Sequence, residues 1–331
     1  MVDIPGPADL AQAYATVRAH LAPTPLRSAP DGLRSAHDDL RPTPLRSAPD
    51  DLRLKLECWQ PTGSFKVRGA LAAITALRAP AVVTASTGNH ALGITWAAAR
   101  LGVDSTVVVP ETTSPAKLAA LEALSGSSGR VVRHGADFDA AESHALELAA
   151  RGATYVSAYN HTHVIAGQST IGREVGEQVE GAFTIVVPVG GGGLASGIAL
   201  WAAGRDGVRV VGVEAAASRA VSAAIDAGST VAVPIGPTLA DALAGNVEPG
   251  SVTPGILAAH GVPVLAVSEV DIRRALRYLV RAHGLAVEGA GAVAVAAVLA
   301  GKVDADGPVV AVVTGRNVAL PTLAGILAEE E

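Results

Sequence analysis

From Leu52 onward the chain alternates short Val/Ile-rich runs with Ala-rich helical stretches, and that alternation limits the folds open to it. The runs that read as strands are Leu54–Cys58, Ala81–Ala85, Ser105–Val109, Arg130–Arg133, Thr154–Ser157, Phe183–Val189, Arg209–Glu214, Val262–Val267 and Val309–Thr314. Between most of them lie helical segments: Ala91–Leu101, Ser114–Leu124, Asp139–Ala150, Leu194–Ala203 and Ser268–Ala282. The last opens on a capping box, Ser268 with Asp271 three residues on. Strands joined by helices are parallel strands, because a parallel pair needs a crossover connection. Nine strands are many for one sheet. The expectation is therefore an α/β protein with two open, twisted, mostly parallel sheets and flanking helices. It divides into a large domain of residues 1–76 and 157–331 and a small one of 77–156. Ligands in such folds collect beyond the C-terminal ends of the strands. Hydrophobic residues make up 49% of the chain and aromatics only 3%, so the core is built from Ala, Val, Leu and Ile, as buried parallel sheets are.

A net charge of −6 without a basic cluster argues against nucleic acid or an anionic membrane as a partner. Cys58 is the only cysteine, which excludes an intrachain disulfide and suits a reducing cytoplasm. Met1–Pro5 has neither a basic nor an apolar leader region, and the longest charge-free apolar run, Gly289–Gly301, is too short to span a bilayer. Near the N-terminus Pro23–Asp31 recurs identically as Pro42–Asp50, with Leu33–Ala36 a partial third copy. These units are too short and Pro-rich to stack as a solenoid. They read as a local duplication, one copy structural and the other, within 24–42, a surface loop.

Four segments carry chemistry. In Gly63-Ser64-Phe65-Lys66-Val67-Arg68-Gly69-Ala70 a lysine stands between small residues and beside an aromatic ring where a helix begins. Only Lys55, Lys66, Lys117 and Lys302 are lysines among 25 basic residues. Lys55 reads as part of a strand alternation, Lys117 as part of a helical face and Lys302 as part of a turn. Two readings fit Lys66: an exposed lysine near a helix start, or an amine that reaches a bound carbonyl and sheds its proton. Ser86-Thr87-Gly88-Asn89-His90 follows a strand and precedes a helix. It reads as a carboxylate cradle or as a plain N-cap turn with a satisfied histidine. Gly190-Gly191-Gly192-Gly193-Leu194 lets backbone N–H groups converge on a phosphate; it is no Walker loop and only a weak dinucleotide match. Thr314-Gly315-Arg316-Asn317 places a hydroxyl at a strand end, which alone means little.

Together, and in this order, these segments resemble those of the fold-type-II pyridoxal-phosphate enzymes, in particular the serine/threonine dehydratase and serine racemase family, whose fold is that of the tryptophan synthase β chain. The resemblance runs from about the second Thr-Pro-Leu copy to the last strand. It implies Lys66 as the Schiff-base lysine with Phe65 beside the cofactor, pyridoxal 5'-phosphate. Asn89 would bond the cofactor's 3-hydroxyl, Ser86, Thr87, Gly88, Asn89 and His90 would hold the substrate carboxylate, and Gly190, Gly191, Gly192, Gly193 and Leu194 would hold the phosphate. Thr314 would face the pyridine nitrogen and Glu288, in Val287–Gly291, would lie near the ring. Val164–Gln168 matches a helix start of the family. Val67, where cysteine-synthase and threonine-synthase relatives carry Asp, points to the dehydratase branch.

The departures are Thr314 for a serine, Arg316 for a glycine, and Thr87 where racemases carry the serine that returns a proton. The family's cation site pairs a glutamate, here Glu214, with an aspartate replaced here by Ala220, so no metal is expected. The resemblance implies β-elimination from L-threonine or L-serine to a 2-oxo acid and ammonia, with Lys66, Ser86 and Thr87 as catalytic residues. The end of the chain soon after Asn317 suggests an unregulated, catabolic enzyme, and a homodimer or higher homo-oligomer is expected. Alternatives are a serine or aspartate racemase, a 3-hydroxyaspartate dehydratase and, resting on the glycine loop alone, a non-catalytic cofactor-binding protein.

Overall fold

The computed structural model describes residues 2–29 and 51–328, in two compact units: Met1–Ala22 with Gln60–Thr170, and Pro23–Trp59 with Ile171–Glu331. Each has its own sheet, wholly parallel in the first and mostly parallel in the second, so the two-sheet α/β expectation holds.

In the first unit β3 (Ala81–Ala85), β4 (Asp104–Val109), β5 (Gly129–Arg133) and β6 (Thr154–Tyr155) form a four-stranded sheet in the order β5-β4-β3-β6, parallel throughout. Its helices are α1 (Pro7–His20), α2 (Lys66–Leu77), α3 (Asn89–Leu101), α4 (Pro115–Ser125), α5 (Phe138–Ala150) and the first part of α6 (Thr162–Gln178). The sequence division put residues 1–22, 60–76 and 157–170 in the other domain and 23–59 where the structure has them. In the structure Val17 and Leu21 share one buried cluster with Val67, Leu71 and Ile74 of α2 and Ile94 and Ala97 of α3. The apolar face of α2 therefore belongs to this unit. β6 is shorter than the expected Thr154–Ser157, because the Val156 carbonyl is taken by side chains, Thr84 Oγ1 at 2.9 Å and His90 Nε2 at 3.0 Å.

The second unit contains a six-stranded sheet of β1 (Leu26–Ser28), β2 (Leu52–Lys55), β7 (Phe183–Pro188), β8 (Val208–Ala215), β9 (Val264–Val267) and β10 (Val309–Val312), ordered β1-β2-β10-β7-β8-β9. Only β1 runs antiparallel. β7 and β10 are buried at every position, as central parallel strands covered on both faces must be. The strand expected at Leu54–Cys58 sits two residues earlier, set by pairing of Leu52 with Val309 and Lys55 with Val312. The first copy of the duplication supplies β1, so Leu26–Ser28, inside the loop expected at 24–42, belongs to the sheet; the second copy lies outside the described residues. α7 (Gly193–Ala202), α8 (Ala220–Ala227), α9 (Thr253–Ala259), α10 (Glu269–His283), α11 (Gly289–Leu299) and α12 (Leu320–Ala328) complete the unit. α10 has the capping box foreseen, with Asp271 N donating to Ser268 Oγ at 3.2 Å and Ser268 N to Asp271 Oδ2 at 3.0 Å. α11 is buried along its whole length, which accounts for the apolar Gly/Ala run as a core helix.

Candidate active site

In the first unit α2 begins at Lys66, a half-buried residue. Its Nζ donates to the Ala158 carbonyl at 2.8 Å and stands 5.3 Å from the centre of the Phe65 ring. The helix forms there because Lys66–Leu77 is a run of good helix formers with few β-branched residues. The adjacent α3 reaches the Lys66 backbone through Gly93, where a Cβ would lie 3.1 Å from the Lys66 carbonyl carbon.

Ser86–Gly88 lies between β3 and α3 and Asn89 opens α3, each residue half-buried. Ser86 Oγ accepts from Gly88 N at 3.2 Å. Gly88 at the N-cap brings no capping side chain, so the start of α3, with its partial positive charge, is suited to an anion. His90 is the satisfied buried histidine of the plainer reading: Nε2 bonds the Val156 carbonyl. Burial lowers its pKa to about 3, with the Lys66 charge acting the same way.

The second unit holds the glycine loop. Gly192 is the N-cap of α7 at φ +85°, a conformation that favours glycine. A Cβ on Gly192 would meet Thr253 at 2.9 Å and one on Gly190 the Leu243 backbone at 3.0 Å. Thr253 Oγ1 donates to Gly191 O at 2.7 Å and Ser196 Oγ to Thr253 O at 3.3 Å, which fixes the loop with its amides at an uncapped helix start. That is a cradle for a phosphate, and these residues fit the cofactor that the sequence implies. Thr253 was missed in the sequence, because nothing in its local pattern marks a residue that bonds a loop so distant in the chain.

Glu288 and Thr314 are brought together. Glu288 N donates to Gly315 O at 3.2 Å and the buried Thr314 hydroxyl to Ala290 O at 3.3 Å. A Cβ on Gly291 would lie 2.4 Å from Gly315 O, so only glycine lets α11 approach the strand end this closely. Arg316 is exposed. Cys58 is buried and its thiol is pushed up to about 12, chiefly by burial, with Glu57 and Glu288 adding and Arg316 opposing; it stays protonated. Glu214 is buried, its carboxylate accepting from Val221 N at 2.8 Å and Ser222 N at 3.3 Å at the start of α8. Burial raises its pKa against those bonds.

Lys55 lies in a strand, as read, but its setting is not an ordinary one, because it is fully buried. Its Nζ pairs with Glu174 at 2.7 Å and bonds Thr24 O at 2.8 Å and Gln178 Oε1 at 2.9 Å.

The chain matches the family model described as pyridoxal-phosphate dependent enzyme over residues 37–315. It is 40% identical over 282 residues to the L-threonine ammonia-lyase of Geobacter sulfurreducens, covering 82% of this chain and 69% of that protein. Among solved structures it is similar to maize serine racemase, with a TM-score of 0.84 and 27% identity over 98% of this chain and 97% of that one. It is also similar to the processed form of threonine deaminase isoform 2 from Solanum lycopersicum, with a TM-score of 0.83 and 28% identity over 100% of this chain and 97% of that one. Among the described residues no helix is long and apolar enough to cross a membrane.

Proposed function

This chain belongs to the pyridoxal-phosphate-dependent enzyme family, and on that premise we propose that it is an ammonia-lyase converting L-threonine or L-serine to a 2-oxo acid and ammonia. The 40% identity to an L-threonine ammonia-lyase across most of the chain supports this reading most. Pyridoxal 5'-phosphate, when bound, supplies an aldehyde for an amine and a ring that spreads negative charge away from a substrate α-carbon. Lys66 would carry the aldehyde with Phe65 beside it, and its Nζ, once released, would take the α-proton. The substrate carboxylate would sit on Ser86, Thr87, Gly88 and Asn89 at the start of α3, and Asn89 would also bond the cofactor's ring hydroxyl. Gly190–Gly193 and Leu194 would hold the phosphate, and Glu288 would lie by the ring. Thr314 offers the ring nitrogen a neutral hydroxyl, which cannot keep that nitrogen protonated as a carboxylate would. Such a partner favours prompt loss of the β-hydroxyl over a long-lived carbanion. We place the enzyme in the cytoplasm as a homo-oligomer.

Lys66→Ala is expected to abolish turnover and the visible absorbance of the loaded enzyme. A borohydride-reducible cofactor adduct surviving in that variant would overturn the assignment. The similarity to serine racemase favours one second reading, with the Thr87 hydroxyl delivering a proton to the opposite substrate face. D-Serine exceeding oxo acid from L-serine would establish that reading in place of the lyase.

A further inference from the structure

We propose that His90 is the positioning residue for the Lys66 amine: its ring pins the Val156 carbonyl, and that pin sets the Ala158 carbonyl to which Lys66 Nζ donates. The inference rests on the assignment of Lys66 above and adds a role that the carboxylate cradle does not need. Val156 is tied three ways. Its N–H donates to Val83 O at 2.9 Å, and its carbonyl accepts from Thr84 Oγ1 at 2.9 Å and His90 Nε2 at 3.0 Å. A carbonyl oxygen has two lone pairs, so both are used. Ser157 Oγ then accepts from Asn160 N at 3.2 Å and turns the chain back. Ala158, held between these two anchors, meets Lys66 Nζ at 2.8 Å.

The same helix holds both ends of the lysine. Gly93 of α3 lies against the Lys66 backbone, and His90 of α3 fixes the loop that receives its amine. The histidine performs this task as a neutral donor. Burial and the charge of Lys66 hold its ring unprotonated, with His161 adding to the effect. His161 is itself lowered to about 4 by burial and by His163. A neutral ring influences Lys66 through position, whereas a charged one would repel the ammonium. The two readings predict opposite signs.

The test is an NMR titration of the full-length protein carrying 13Cε-lysine, before and after loading with pyridoxal phosphate. Only four lysines are present, and Lys66→Ala assigns the resonance. In cofactor-free His90→Phe, and to a smaller extent in Thr84→Val, which removes the other donor, the Lys66 midpoint is expected to fall by about one pH unit. A hydrogen bond accepted from the ammonium favours its charged form, and loosening the acceptor loses that preference. The other three lysines stay unchanged. In the loaded enzymes kcat falls roughly tenfold while KM is retained, as for a misplaced reacting group. His90→Gln, which keeps an N–H donor, restores part of both. An unmoved Lys66 midpoint in folded His90→Phe and Thr84→Val would overturn the proposal, and a raised one would too, since it means that His90 acts by charge. Failure of the Lys66 assignment is read separately, from the borohydride adduct, and leaves the titration intact.

Discussion

Lys55 and Lys66 stand on either side of the turn at Pro61–Gly63, one in a strand alternation and the other at a helix start. Their surroundings are opposite. Lys55 is sealed in the second unit between the Glu174 carboxylate, the Thr24 carbonyl and the Gln178 amide. Thr24 Oγ1 in turn donates to the buried Glu57 at 2.5 Å. Lys66, at a helix start in the first unit, is half-buried and donates to a neutral carbonyl. Lys55, fully buried against the Glu174 carboxylate, serves the sheet. Lys66, half-buried at a helix start, is the more accessible amine of the two. A lysine's use is set by what compensates its charge, and here that compensation comes from residues far along the chain.

Breaking this contrast at Lys55 should have the largest effect on stability. Lys55→Met leaves Glu174 buried opposite an apolar group and is expected to cost about 3–5 kcal/mol, read as a lower midpoint in urea. Whatever fraction folds should still bind the cofactor through Lys66; loss of binding in folded protein would show that the Lys55 network reaches the site. Gly93→Ala presses a methyl onto the Lys66 backbone and should cost roughly 1–3 kcal/mol by overpacking. Turnover should fall further than stability does, because the methyl displaces the lysine itself. Kinetics unchanged from the parent would mean that α2 absorbs the shift without moving Nζ.

The smallest effect is expected from deleting Thr24 through Pro42. The shortened chain places Thr43-Pro44-Leu45-Arg46-Ser47 after Pro23, identical to the segment that supplies Thr24 and β1. Lys55 and Glu57 then meet the same groups. Loop closure changes by only about 0.6 kcal/mol per doubling of length, so stability and activity should stay near those of the parent. A collapse of either would show that both copies are built into the folded protein.

What the sequence determined by itself is whatever local physics writes. Val/Ile runs such as β7 and β10 announce strands covered on both faces, and Ser268 with Asp271 announces the start of α10. The glycine loop followed by a helical stretch announces a tight turn into a helix, because glycine tolerates the positive φ that Gly192 adopts there. The order of the four chemical segments announced the family. The tertiary structure decided what depends on residues distant in the chain. It paired Lys55 with Glu174, set Thr253 behind the glycine loop, and drew α1 and α2 to the four-stranded sheet through Val17, Leu71 and Ile94. It also turned the His90 ring toward the Val156 carbonyl, a partner distant in the chain. Propensity and periodicity act over a turn or a strand. Burial and hydrogen-bond satisfaction are properties of the folded neighbourhood, and they give Lys55 and Lys66 different surroundings here.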